Sequence, residues 1–219
     1  MTAPLIPPPG TQLDSQTEVV LTEQARKRPK PGERRVQILQ ALAAMLEQPG
    51  AERITTATLA AHLDVSEAAL YRHFASKAQM YEGLIDFIEH AVFSLINQIL
   101  ERKNGVGLTD QAEQVITMVM QFAEKNPGLS RVMVGDALVF ENIRLQQRMN
   151  LFFDKIETSL KQILQVHPAV LQGATPTVDA QVRASLLTAF LVGRLQRFVR
   201  SSFKRPPTEN LAACLFLVL

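Results

Sequence analysis

Chemistry is scarce in this chain of 219 residues. It has one cysteine, Cys214, which excludes an internal disulfide and any metal site built from several thiolates. That residue sits in an apolar tail, where a thiol is more readily buried than reactive. The histidines, His62, His73, His90 and His167, are scattered. No pair has metal-ligand spacing with an acid on the same helix face, and His90 directly follows Glu89, so the two point apart. Gly105-Val106-Gly107 has no strand before it and carries no phosphate-loop meaning. No serine lies in a nucleophile elbow. Catalysis is not expected, nor is a bound metal or cofactor.

Strand alternation and internal repeats are missing too. The opening stretch MTAPLIPPPGTQLDSQTEVV lacks the charged and apolar regions of a secretory signal. No apolar run approaches the roughly 20 residues of a membrane-spanning helix. These absences point to a cytoplasmic protein. Hydrophobic residues make up 47% and charged residues 20% of the chain, and the formal net charge is only +2. The molecule as a whole is no polycation, so any affinity for a polyanion has to be local.

Charge is indeed local. Arg26, Lys27, Arg28, Lys30, Arg34 and Arg35 stand against one acid, Glu33. Six prolines (Pro4, Pro7, Pro8, Pro9, Pro29, Pro31) fall in the same first segment. Residues 1–32 are therefore expected to be a disordered or extended arm. Its Arg26, Lys27 and Arg28 are candidates for tracking DNA phosphates.

The most informative stretch is Ile54 to Phe74, ITTATLAAHLDVSEAALYRHF. Thr55 fits an N-cap, with Ile54 and Leu59 in staple positions. Leu63-Asp64-Val65 turns the chain, and Ser66 caps a second helix expected to end near Phe74. Ser76-Lys77-Ala78-Gln79 opens a third. Short helices at sharp angles are the layout of a helix-turn-helix whose second helix enters the major groove. At about 100° per residue, Leu70 and Phe74 share the buried side of that helix. Ala68 and Arg72 point away, flanked by Ala69 and Tyr71. Small residues there let the backbone approach base edges, and Glu67 is placed to accept a hydrogen bond from a cytosine amino group. Tyr71, His73 and Lys77 suit phosphate oxygens.

The rest is helical in pattern, so the fold class is all-α. Helices are expected over about 33–47, 76–102, 109–125, 129–135, 141–166 and 178–203, with a last one from Thr208. The helix over 129–135 is left open to run on into the next. Three segments follow: the arm to residue 32, a helix-turn-helix domain over 33–80, and a helical dimerisation and partner-binding domain over 81–219. The last two long helices are apolar over more than one narrow stripe, which calls for a second copy of the chain. A two-fold pair of readers implies a near-palindromic site.

Thr55-Thr56, Leu59-Ala60, Val65-Ser66, Leu70-Tyr71, His73-Phe74 and Ser76-Lys77 resemble the DNA-binding region of TetR-family regulators. Within that family SEAALYRHFASKAQMYEGLIDFIE, NPGLSRVMVGDALVFENIRLQQRMNLFFDKIE and RFVRSSFKRPP are similar to the nucleoid occlusion factors, over nearly all of the chain after residue 32. The resemblance implies an all-helical, nucleoid-associated homodimer on palindromic chromosomal sites. On DNA, such factors engage the division protein FtsZ and oppose Z-ring assembly. Thr56, Glu67, Ala68, Tyr71, Arg72, His73 and Lys77 fall where the family contacts DNA. With the caps Thr55 and Ser66 and the flanking Ala69 they complete the expected DNA-binding set. Phe87 and Lys125 fall on the surface such factors turn to FtsZ. On that surface Leu95 stands where the resemblance implies a basic residue, and Gln121 where it implies a small one. The alternative is a ligand-responsive repressor of a neighbouring operon, with Thr117, Asn150 and Thr188 as the polar groups of an inducer pocket.

Overall fold

The computed structural model describes residues 32–48, 54–101, 108–166 and 175–219. Arg26, Lys27 and Arg28, and the expected arm as a whole, lie outside them. Among the described residues the chain is helical, with no strand. Helix α1 spans Glu33–Glu47, the bounds its apolar period and the following Pro49-Gly50 predict. It buries Ile38, Ala41, Leu42 and Leu46. Helices α2 (Thr56–His62) and α3 (Glu67–Tyr71) form the helix-turn-helix, and α4 (Lys77–Glu101) leads away from it.

The caps act as the sequence implies. Thr55 Oγ1 accepts from the Thr58 backbone N–H at 3.1 Å, and Thr58 Oγ1 accepts from the Thr55 N–H at 3.0 Å. This closes a capping box with threonine at both ends. Ser66 Oγ accepts from the Ala69 N–H. Asp64 takes φ 52° in the turn, a left-handed conformation that aspartate tolerates better than most residues. Helix α3 is shorter than expected, stopping at Tyr71, although the Phe74 N–H still donates to the Leu70 carbonyl at 3.1 Å.

Helix α5 (Leu108–Lys125) packs alongside α4, and α6 (Pro127–Met133) packs against α1, α4 and α5. Every residue of α6 from Gly128 to Met133 is buried. The sequence leaves open whether α6 runs on into the next long helix, and it does not. Gly135 takes φ 79°, a 3-10 turn follows over Asp136–Leu138, and Asn142 then caps α7 (Ile143–Gln165). Helix α8 (Pro176–Arg200) packs antiparallel along α7, and α9 (Leu211–Val218) closes the described chain.

One expectation needs correcting. Helix α4 is long enough and apolar enough, at mean hydropathy 1.3 over its best window, to cross a bilayer by length and composition. Its acids interrupt any continuous run, which is why none is visible by eye. In the fold, Met80, Leu84, Ile85, Ile88, Val92 and Ile96 are buried against α1, α5, α6 and α7. Arg148 of α7 bonds Asp86 at 2.9 Å and Glu89 at 2.8 Å, tying the polar side of α4 to the same core.

Candidate nucleic-acid interface

Helix α3 is held from behind and bare in front. Leu70 and Phe74 are each 1% exposed and anchor it in the core. Glu67, Ala68, Tyr71, Arg72 and His73 are all exposed, and Ala69 is half-buried. The face expected to meet DNA is therefore the face turned to solvent, with nothing bulkier than a methyl group at Ala68. Arg35, placed in the basic block by sequence, has a different post. It donates to the His73 carbonyl at 2.8 Å and lies 4.1 Å from the Phe74 ring centroid. It thereby fastens α1 to the C-terminal end of α3.

The start of α2 meets the start of α3 through side chains. Thr56 Oγ1 donates to Glu67 Oε2 at 2.7 Å, while the Tyr71 hydroxyl is a long 3.4 Å from Thr56 Oγ1. Thr56 and Glu67 were each expected to face DNA alone; the fold couples them. One carboxylate oxygen of Glu67 is held by threonine, on a side chain that stays exposed. Replacing Thr56 with valine, which keeps the shape and removes the donor, should relax base preference around the Glu67 contact. Binding to mixed-sequence duplex should change less than about twofold, since every basic side chain is kept. Thr56→Ser should restore selectivity. Competition with single-base variants of the bound site measures this, and an unchanged preference for Thr56→Val would remove the coupling.

Lys77 is less available than the sequence suggests. Its Nζ lies 2.6 Å from Glu141 Oε1, and the Glu141 side chain is only 12% exposed. Burial first, and the Glu141 carboxylate second, push the neighbouring Tyr81 phenol far above its ordinary range, so it stays neutral. No local pattern flags Glu141, because it comes from the turn before α7. Lys77→Ala would strand a nearly buried carboxylate and should cost about 1–3 kcal/mol of stability. Adding Glu141→Gln should recover most of that loss without recovering DNA affinity. Calorimetry beside a binding titration separates the effects; full recovery of both would deny Lys77 any phosphate contact.

Phe87 is 53% exposed on α4, and Lys125 is exposed at the end of α5. Leu95, Gln98, Thr117, Met118 and Gln121 line an open groove between these helices. By helical spacing, Phe87 continues the row of Leu95 and Lys125 the row of Gln121. The polar groups suggested for an inducer do not converge. Thr117 lines that groove, Asn150 lines a separate depression between α7 and α8, and Thr188 is buried with its hydroxyl unpaired. Among the described residues no cluster of His, Cys, Asp or Glu is arranged to hold a metal.

Comparison with known proteins agrees with this arrangement. Residues 38–84 match the family of bacterial regulatory proteins, tetR family, and residues 108–218 match the SlmA-like form of the Tetracyclin repressor-like, C-terminal domain. The nucleoid occlusion factor SlmA of Idiomarina loihiensis is 51% identical over 181 residues, 82% of this chain and 90% of the relative. The protein of that name from Vibrio vulnificus is 51% identical over 182 residues, 83% of this chain and 91% of its own. The fold is shared with the fatty acid degradation regulator FadR from Bacillus halodurans, at TM-score 0.67 and 15% identity over 87% of this chain and 96% of that one. A TetR transcriptional regulator from Legionella pneumophila also has TM-score 0.67, at 13% identity, over 88% of this chain and 99% of its own. An exposed recognition helix, the helical body behind it and about half the residues in common with the SlmA proteins lead to one assignment: the chain belongs to the tetR family of bacterial regulatory proteins, in the branch with the SlmA-like C-terminal domain.

Proposed function

We propose that this protein is a nucleoid occlusion factor. It binds palindromic chromosomal sites as a homodimer and, on DNA, engages FtsZ and opposes Z-ring assembly over the nucleoid. The observation that carries this reading is 51% identity to proteins of that name over more than four-fifths of the chain. In this reading residues 33–80 are the DNA-binding domain, with Thr55, Thr56, Ser66, Glu67, Ala68, Ala69, Tyr71, Arg72, His73 and Lys77 at the duplex. Residues 81–219 dimerise and bind the partner.

A dimer is supported by an apolar stripe on α8. Val178, Val182 and Leu186 recur at four-residue steps and are each more than half exposed. The row continues through Ala189 to Gly193, where the space a Cβ would fill is open. Such a stripe suits a matching helix of a second copy. Phe87, Lys125 and the groove beside them are the FtsZ-facing surface.

Co-sedimentation with FtsZ polymers tests the partner. The protein should pellet with polymers, and shorten or disperse them, much more when its DNA site is present. Equal behaviour with and without DNA, or no association at all, would contradict the proposal.

A further inference from the structure

The motif RFVRSSFKRPP, residues 197–207, takes no part in the helix-turn-helix. Arg197, Arg200, Lys204 and Arg205 are exposed, and no acid occurs between Leu195 and Thr208. None of the four forms an ion pair among the described residues. Asp136 shares a shallow depression with Arg200 and does not pair with it. Beneath lies Arg131, only 7% exposed, with its Nε unpaired and its guanidinium 5.3 Å from the Phe203 ring centroid. Positive charge is concentrated here with no paired acid, so the patch offers several cations at once to an anion.

The turn is built to hold its cations out. Ser202 and Phe203 take φ 51° and 64°, and their N–H groups donate to the Val199 and Phe198 carbonyls at 3.0 and 2.9 Å. The Arg205 N–H donates to Ser201 Oγ at 3.0 Å, and the Phe203 ring packs edge-on against Phe198. Such a turn spends little ordering entropy on meeting a ligand.

Its place in the fold identifies the ligand. Helix α4 leaves the DNA-binding domain at Lys77, α5 returns, and α7 begins beside Lys77 through Glu141. Helix α8 runs antiparallel to α7, so it ends back at that level, where Arg200 meets the segment Val134–Val139. The basic turn is thus on the end of the helical body that faces the DNA-binding domain. Arg197 and Arg200 also continue, at helical spacing, the stripe Val182, Leu186, Ala189, Gly193. A dimer through that stripe brings both copies of Arg197 and Arg200 towards the two-fold axis, on the DNA side. Like charges opposed there repel, and a polyanion between them would relieve that repulsion.

We propose that the turn 197–205 is a second duplex contact, holding phosphates between the two half-sites independently of sequence. This rests on the reading of the chain as a dimeric DNA-binding protein. The test uses the full chain and a palindromic duplex enriched by the native protein from a random pool. Failure to enrich any palindrome would remove the underlying reading. Given such a duplex, Arg200→Gln/Lys204→Gln/Arg205→Gln should flatten the plot of log affinity against log salt by about five units, at roughly 0.9 per phosphate over two copies. Lys204→Gln alone, a change at an exposed side chain that leaves the turn's hydrogen bonds in place, should flatten it by about two. Replacing the phosphates between the half-sites with neutral methylphosphonates should weaken the native protein about tenfold or more and the triple variant hardly at all. An unchanged salt slope in both variants, or an equal methylphosphonate effect on native and triple variant, would overturn the proposal while leaving the helix-turn-helix reading intact. Retention of DNA binding by the triple variant with loss of binding to a poly-glutamate peptide would overturn it too, in favour of an acidic protein ligand.

Discussion

Gly128→Ala should cost about 3 kcal/mol or more and lower the melting temperature by about 10 °C. A Cβ at this position would lie 2.0 Å from the Ala43 carbonyl oxygen and 3.1 Å from Glu47 Cγ. The first contact is with backbone, so no side-chain rotation relieves it. Helix α6 is buried along its length and α1 rests directly on its first turn. One of the two helices has to move. Because α1 also holds α3 through Arg35, the displacement reaches the recognition helix. Calorimetry and a DNA titration should therefore show paired losses, with stability falling first. A melting temperature within a degree or two of native would mean that the α1–α6 approach is not as close as described.

Ala68→Leu should have the opposite profile, with stability unchanged and specific binding reduced about a hundredfold. Ala68 is exposed, and leucine is nearly as good a helix former as alanine. The substitution adds bulk only on the outward face of α3, where it would hold the backbone away from base edges. Losing one or two well-placed base contacts at about 1–3 kcal/mol each gives a fall of that size. Tyr71 and His73, the side chains of this helix suited to phosphate oxygens, tolerate a small retreat, so mixed-sequence duplex should bind within severalfold of native. Equal loss on both duplexes would mean that Ala68 meets the sugar-phosphate backbone. No loss on either would mean that α3 does not enter the groove.

These outcomes depend on features of unequal legibility. The helix-turn-helix could be read residue by residue because its limits are set by local chemistry. Thr55, Ser66 and Asp64 each do at short range what their side chains favour anywhere. The outward set on α3 followed from helical period and two apolar anchors. The end of α6 lies within two residues of the expected Gly135, but whether the helix ran on stayed open because the left-handed backbone of Gly135 is visible only in the fold. The true posts of Arg35 and Lys77 were hidden for a different reason. Their partners, the His73 carbonyl and Glu141, are brought in by tertiary packing, and no spacing rule connects them. The coupling of Thr56 to Glu67 lies between these cases. Both residues were visible, but the crossing angle that brings them within 2.7 Å was not.

Stability and readout are linked through α1. The same helix that seats on Gly128 also secures the end of α3, so the reader is only as fixed as the body behind it. That arrangement suits a protein whose helical body has to sense, or signal, the presence of DNA. It also puts the Lys77–Glu141 pair at the junction between the two, where a phosphate would compete for the lysine.

Mapping the protein across its host chromosome by cross-linking and sequencing addresses the central claim most directly. A nucleoid occlusion factor reading palindromes with a thin recognition helix should occupy many related sites spread widely over the chromosome, and Ala68→Leu should erase them. Occupancy confined to one operator beside its own gene, or no sequence-specific occupancy at all, would contradict the account.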